Sequence, residues 1–156
     1  MSVVVVGVDR SETSTKALRE AIREATWRGA SVVVGYAVQR PVYATVELGA
    51  MVVDSVDVES IGAEALAAYL ADVEATFAEG FPVTVESEVL VGHAGHQLLE
   101  LARRREADLI VLGSRGLGGV KGLLLGSVTT YAVHHVRRPL LVVPGTPEGS
   151  DGAEAP

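Results

Sequence analysis

Leu109-Ile110-Val111-Leu112-Gly113-Ser114-Arg115-Gly116, with Gly126-Ser127 following after nine intervening residues, decides how this chain folds. The four apolar residues read as a parallel strand buried on both faces. A glycine-rich loop leaves that strand and enters a helix opening at Ser127, whose hydroxyl is placed to cap it. The free N–H groups of such a first turn carry the positive end of the helix dipole, so an anion fits there. Gly113, Gly116, Gly118, Gly119 and Gly122 remove the Cβ atoms that would block close backbone approach, and they permit positive φ.

Outward from this stretch, β-branched runs alternate with helical patterns in the order βαβαβαβαβ, the signature of a mostly parallel sheet covered by helices. Val3 to Val8 is the first strand, and a helix from about Ser11 places Ala17, Leu18, Ala21, Ile22 and Ala25 on one face before stopping at Gly29. Ser31 to Val38 is the second strand. A second helix is expected from about Ser60 to Glu79, ended by Gly80, and Val83 to Val91 alternates like an edge strand with one wet face. A third helix begins near Gly95 and ends before Asp108; Val128 to His135 forms the fourth, and Pro139 to Val143 the last strand. Gln39 to Asp57 is long for a connection and has no single period, so it is a candidate to fold over a ligand or partner. From Pro144 to Pro156 the composition is that of a disordered tail, leaving one domain over residues 1–144.

The 156 residues are 48% hydrophobic, enough for one domain with a substantial core. With no cysteine, disulfides, cysteine-ligated metals and thiol nucleophiles are excluded. The apolar runs are strand-length and the first residues lack a basic leader, so a cytoplasmic protein without a membrane partner is expected. A net charge of −7 argues against nucleic-acid binding. Charge is also segregated: Pro41 to Ala102 contains eleven acidic residues and no Lys or Arg, whereas Arg115 and Lys121 lie within the glycine loop. A small polyanion suits that placement.

In an open α/β sheet, ligands bind beyond the carboxyl ends of the strands where the strand order reverses. Asp9 ends the first strand as Gly113 ends the fourth; if those strands are neighbours, the Asp9 carboxylate lies beside the glycine loop. There it could orient a ribose hydroxyl or a metal-associated water, or simply start the turn into the first helix. The loop is not a Walker A sequence, because Gly122 follows Lys121, and it is not the dinucleotide fingerprint, because Lys121 occupies the third glycine's place. A merely flexible loop is the plain alternative. His93 and His96 supply too few ligands for a metal site, and no Ser, His and Asp set is spaced for nucleophilic catalysis. His134 and His135 complement a helix C-terminal dipole, and Arg103-Arg104-Arg105 and Arg137-Arg138 read as solvated faces.

The spacing Gly113-x2-Gly116-x9-Gly126-Ser127 resembles the nucleotide-binding motif of the universal stress protein family, with Leu123-Leu124-Leu125-Gly126-Ser127-Val128 its most recognisable segment. Val4 to Glu12, Val91-Gly92-His93-Ala94, Ala107 to Ser114 and Arg138 to Val143 resemble other parts of that family, so the likeness extends from Val3 to Pro144. Two departures are Arg10, where many relatives have Gly, and Ala94, near a position where proline is common.

The resemblance implies a doubly wound five-stranded parallel sheet of order 3-2-1-4-5, with helices on both faces, in a homodimer paired through the last strands. It also implies the family's ATP-binding branch, with ATP as cofactor carried with Mg2+. Carried over by position, Gly113, Gly116, Gly126 and Ser127 would hold phosphates, assisted by Lys121; Asp9 would face the ribose or adenine. Ala37 would offer backbone groups to the adenine, Val91 and Gly92 would line the ribose, and Gly7, Val8, Ser114, Val128 and Thr129 complete the set. The expected function is a nucleotide-dependent stress-response module. A slow ATPase or phosphotransferase is the alternative, but the loop offers no general base beyond Asp9. A nucleotide-free interaction dimer is the third reading, opposed by the presence of every motif glycine.

Overall fold

The computed structural model describes residues 1–40, 57–116 and 125–145. Strands β1 (Val3–Val8), β2 (Ser31–Val38), β3 (Val85–Val91), β4 (Leu109–Gly113) and β5 (Leu140–Val143) form one parallel sheet of order β3-β2-β1-β4-β5. Helices α1 (Glu12–Arg28), α2 (Val58–Glu74), α3 (Ala94–Arg104) and α4 (Ser127–His135) connect them. From β1 the chain winds outward through β2 to β3, then crosses back to β4 and winds the other way to β5. The order therefore reverses between β1 and β4, which are paired through Val4–Leu109, Val5–Ile110 and Val6–Val111.

The central strand explains the layering. Val4, Val5 and Val6 are fully buried, and successive side chains alternate between faces. Val4 and Val6 join the core beneath α1, with Ala17, Leu18, Ala21 and Ile22. Val5 joins a second core beneath α3 and α4, with Leu98, Leu101, Ile110 and Ala132. Each such buried valine contributes about 1.5–3 kcal/mol, so the middle of the sheet is the rigid base from which the strand ends project.

Local chemistry sets the helix boundaries. Ser11 caps α1 by accepting from the Ser14 N–H at 3.2 Å, and Gly29 ends the helix at φ 61°. Helix α2 differs from the expected Ser60 to Glu79 span at both ends. It starts earlier because Asp57 accepts from the Ser60 N–H at 3.1 Å. It stops at Glu74 because the Thr76 hydroxyl donates back to the Val73 carbonyl at 2.6 Å and Phe77 N–H bonds Glu74 in a tight turn, leaving Gly80 beyond the helix. Strand β3 begins at Val85 rather than Val83. Its wet face is exposed as expected and carries surface ion pairs, Arg104 with Glu88 and Arg105 with Glu86 and Glu88. The expected loop at Gln39 to Asp57 and the expected tail lie almost wholly outside the described residues. Among the described residues no helix is long and apolar enough to cross a membrane.

Candidate functional site

At the strand-order reversal, a cleft of about 710 Å³ opens above the carboxyl ends of β1 and β4, between the starts of α3 and α4. Its floor exists because β1 and β2 carry glycines under α3. A Cβ on Gly7 would come within 2.8 Å of both Leu98 and Leu112, and one on Gly35 within 3.0 Å of Leu90, Leu98 and Leu101.

The glycine loop forms one end. Gly126 N–H donates to the Ser114 carbonyl at 2.6 Å and the Thr129 hydroxyl to the Gly113 carbonyl at 2.7 Å, locking the loop to α4. A Cβ on Gly113 would meet Thr13 Cγ2 at 2.8 Å, and one on Gly116 would overlap Asp9 Oδ2. Asp9 therefore does lie beside the loop. Its Oδ1 also accepts from the Ser11 N–H at 3.0 Å, so it starts the turn into α1 as well. Neither Gly113 nor Gly116 has a positive φ: close approach, not handedness, is what they supply. Gly118, Gly119, Gly122 and Lys121 lie outside the described residues.

The cap of α4 differs from the expected one. Gly126, not Ser127, is the N-cap residue, and no side chain bonds the first turn. The N–H groups of Ser127, Val128 and Thr129 therefore lack both an intrahelical acceptor and a side-chain cap. All three residues line the cleft, as do Gly113, Gly116 and Gly126. Around the floor, Gly7, Val8, Asp9 and Ala37 also line it.

Other expected positions face elsewhere. Ser114 does not line the cleft; its Oγ accepts from Gly145 N–H at 3.2 Å. Val91 and Gly92 are likewise outside the lining, with Gly92 N–H bonded to the Val38 carbonyl at 3.0 Å. Arg10 takes φ 66°, a conformation natural to glycine, and its guanidinium lies 5.7 Å from the Tyr36 ring centre rather than in the lining.

The opposite end is made of rings. Tyr131 stacks on His135 at 4.1 Å and lies against His93 at 4.9 Å, and all three line the cleft. Tyr131 fits because Gly95 is bare: a Cβ there would stand 2.7 Å from the ring. His93 caps α3, its Nδ1 accepting from the His96 N–H at 3.2 Å, so the neutral ring carries its proton on Nε2. His135 is the reverse tautomer, because its Nδ1 lies 2.8 Å from the Tyr131 carbonyl, which can only accept. The sequence reading assigned none of these rings to the cleft; the i,i+4 spacing of Tyr131 and His135 on α4 was the available signal.

Among the described residues, Asp9 is the only carboxylate in the lining, and no group of three His, Cys, Asp or Glu could hold a metal ion. The depressed carboxyls lie away from the cleft. Asp108 is held below the usual aspartate value by the Val3 N–H and then the Ser2 hydroxyl, and Glu100 is lowered by its hydrogen bond from Arg103.

A doubly wound sheet with an uncapped helix start at its reversal point defines an α/β protein with a built anion cradle. Its lineage is more specific: the chain belongs to the universal stress protein family, whose model matches residues 1–144. A universal stress protein of Synechocystis is 30% identical over 90% of this chain and 96% of its own length. The solved UspA of Lactobacillus plantarum superposes with a TM-score of 0.67 at 25% identity, covering 91% of this chain and 97% of that one. A universal stress protein solved in complex with cAMP gives a TM-score of 0.66 at 27% identity, covering 91% and 96%.

Proposed function

We propose that the protein is an ATP-binding regulatory module, whose nucleotide sits in the cleft with its phosphates on the uncapped first turn of α4. That turn is the observation carrying the reading: three N–H groups without intrahelical acceptors face a cleft whose other wall is bare glycine backbone. Gly126 sharpens it. Among the described residues a Cβ there would make only ordinary contacts, 3.4 Å or more, so their packing does not demand glycine. The space it leaves is space for a ligand.

The cleft has the size of small-molecule sites, and the family includes a protein solved with cAMP. Arg115 at the loop favours a ligand with several phosphates over one with a single phosphate. Mg2+ would travel with those phosphates and neutralise part of their charge. Asp9, opposite Gly116, is the group for ribose or base recognition, and Ala37 supplies backbone polar groups at the far side of β1.

The lining favours binding over catalysis. Hydrolysis or phosphotransfer needs a base near the terminal phosphate, and Asp9 already accepts from the Ser11 N–H. The protein acts as a homodimer in this reading, because β5 is an edge strand whose four residues are all half-buried, a surface suited to pairing with a second copy.

Heat-denaturing freshly purified protein and identifying released nucleotide by chromatography and mass tests the reading. Near-stoichiometric ATP or ADP is expected. Protein that emerges empty and also fails to bind added Mg-ATP would overturn it and leave the interaction dimer as the better account.

A further inference from the structure

Tyr131 and His135 form a party wall. Beyond them, on the outer side of α3 and α4, lies a second cleft of about 560 Å³, closed below by Ile110 of β4. Its rim is cationic: Arg103 from α3, and Arg137 and Arg138 from the connection into β5, with His96 and His135 between them. Its floor is apolar, made by Leu99, Ala102, Ile110 and Val136.

Part of the charge is available rather than consumed. Glu100 is the one carboxylate in this lining, and both of its bonds go to Arg103, through Nε at 3.0 Å and Nη2 at 2.9 Å. That leaves Arg103 Nη1 uncommitted. Arg138 spends one nitrogen, Nη1, on the Ala107 carbonyl at 2.9 Å. Arg137 makes no hydrogen bond or ion pair to any described residue. Three guanidiniums against one engaged carboxylate give a local positive surplus on a chain whose net charge is −7. A concave apolar floor ringed by unspent donors of one sign selects its ligand by both properties.

We infer that this second cleft is a binding site for a small organic anion, a molecule with an apolar or planar body and a carboxylate, sulfonate or phosphate at its edge. The body lies on Leu99, Ile110 and Val136, and the anionic group meets Arg137 and the free side of Arg103. The site shares a wall with the glycine cleft but none of its glycines, and it stands whether or not a nucleotide occupies that cleft.

Fluorescence titration with anilinonaphthalene sulfonate, an apolar anion, is the test, run beside the same ring system without its sulfonate. Wild-type protein is expected to bind the anion saturably and at least about tenfold more tightly than the neutral compound, with affinity falling as salt rises. Binding persists in Gly126→Glu, which obstructs the glycine cleft, and weakens at least about tenfold in Arg137→Ser and again in Arg103→Ser, which also frees Glu100 to repel an anion. Both arginines are exposed, so Arg137→Ser keeps the wild-type melting temperature and Arg103→Ser, which gives up a surface pair with Glu100, lowers it only slightly. Three outcomes overturn the inference: no saturable binding, equal binding of the neutral compound, or loss in Gly126→Glu with both arginine variants unaffected.

Discussion

At one end of the glycine cleft the walls are backbone: Gly113, Gly116 and Gly126 present bare α-carbons, and the first turn of α4 presents N–H groups. At the other end they are rings, with His93, Tyr131 and His135 in a stack seated on Gly95. The backbone end offers fixed partial charges that cannot rotate away and suit an anion of any parent molecule. The ring end offers shape and the donors of its rings, His93 Nε2–H and the Tyr131 hydroxyl. In the proposed reading, affinity and selectivity come from different materials.

The sharpest way to break this division is Gly126→Glu. Its Cβ fits the protein, so the melting temperature should hold, but a carboxylate enters the anion cradle; like charges in such a site cost several kcal/mol, so Mg-ATP binding should fall by about 100-fold or more in calorimetry. Unchanged affinity in a folded variant would remove the phosphates from that end. Gly116→Ala comes next. Its methyl group overlaps Asp9 Oδ2, the end of a side chain that must swing aside, so nucleotide affinity should drop while stability falls by less than about 1 kcal/mol. Adding Asp9→Ala should recover much of the stability, and a double-mutant cycle with no coupling would mean that the two residues do not meet.

At the ring end, His93→Ala should cost about 1 kcal/mol in thermal or urea unfolding through loss of the α3 cap, and His93→Asn should restore it. A large affinity loss in both variants, with stability intact in the second, would turn that end into a primary anchor. Asp108→Asn is the smallest effect and the control, since it lies outside the lining. The Asp108 carboxyl is depressed in the folded state, so its contribution is present above the usual aspartate value and is lost as pH falls through the depressed one. The variant should flatten the acid limb of the melting-temperature profile and leave nucleotide binding alone; an undiminished acid limb would mean that the bonds from Val3 and Ser2 carry no linkage.

The same division explains what could be read from the chain. The backbone end was legible because its chemistry resides in absent side chains at fixed spacing, and Gly113, Gly116, Gly126 and Ser127 announce themselves in any order of reading. The meeting of Asp9 with Gly116 followed from topology, once β1 and β4 were neighbours. The ring end was illegible because it depends on how α3 and α4 approach, which Gly95 permits but no local pattern states. The Ser127 cap and the ends of α2 were misplaced for a related reason: Ser127 stands one residue inside the helix, and a hydroxyl bonding back to Val73 outweighed the periodicity that ran on to Glu79. Arg104 and Arg105 lie on a solvated face, and only their pairing with Glu86 and Glu88, distant in sequence, was hidden.

Helix α4 buries only Thr129 and Ala132 along its nine residues, a rod of about 13 Å. Its first turn belongs to the glycine cleft and its last residue to the cationic one. The two clefts are therefore two ends of one rod, which meets the core at Thr129 and Ala132.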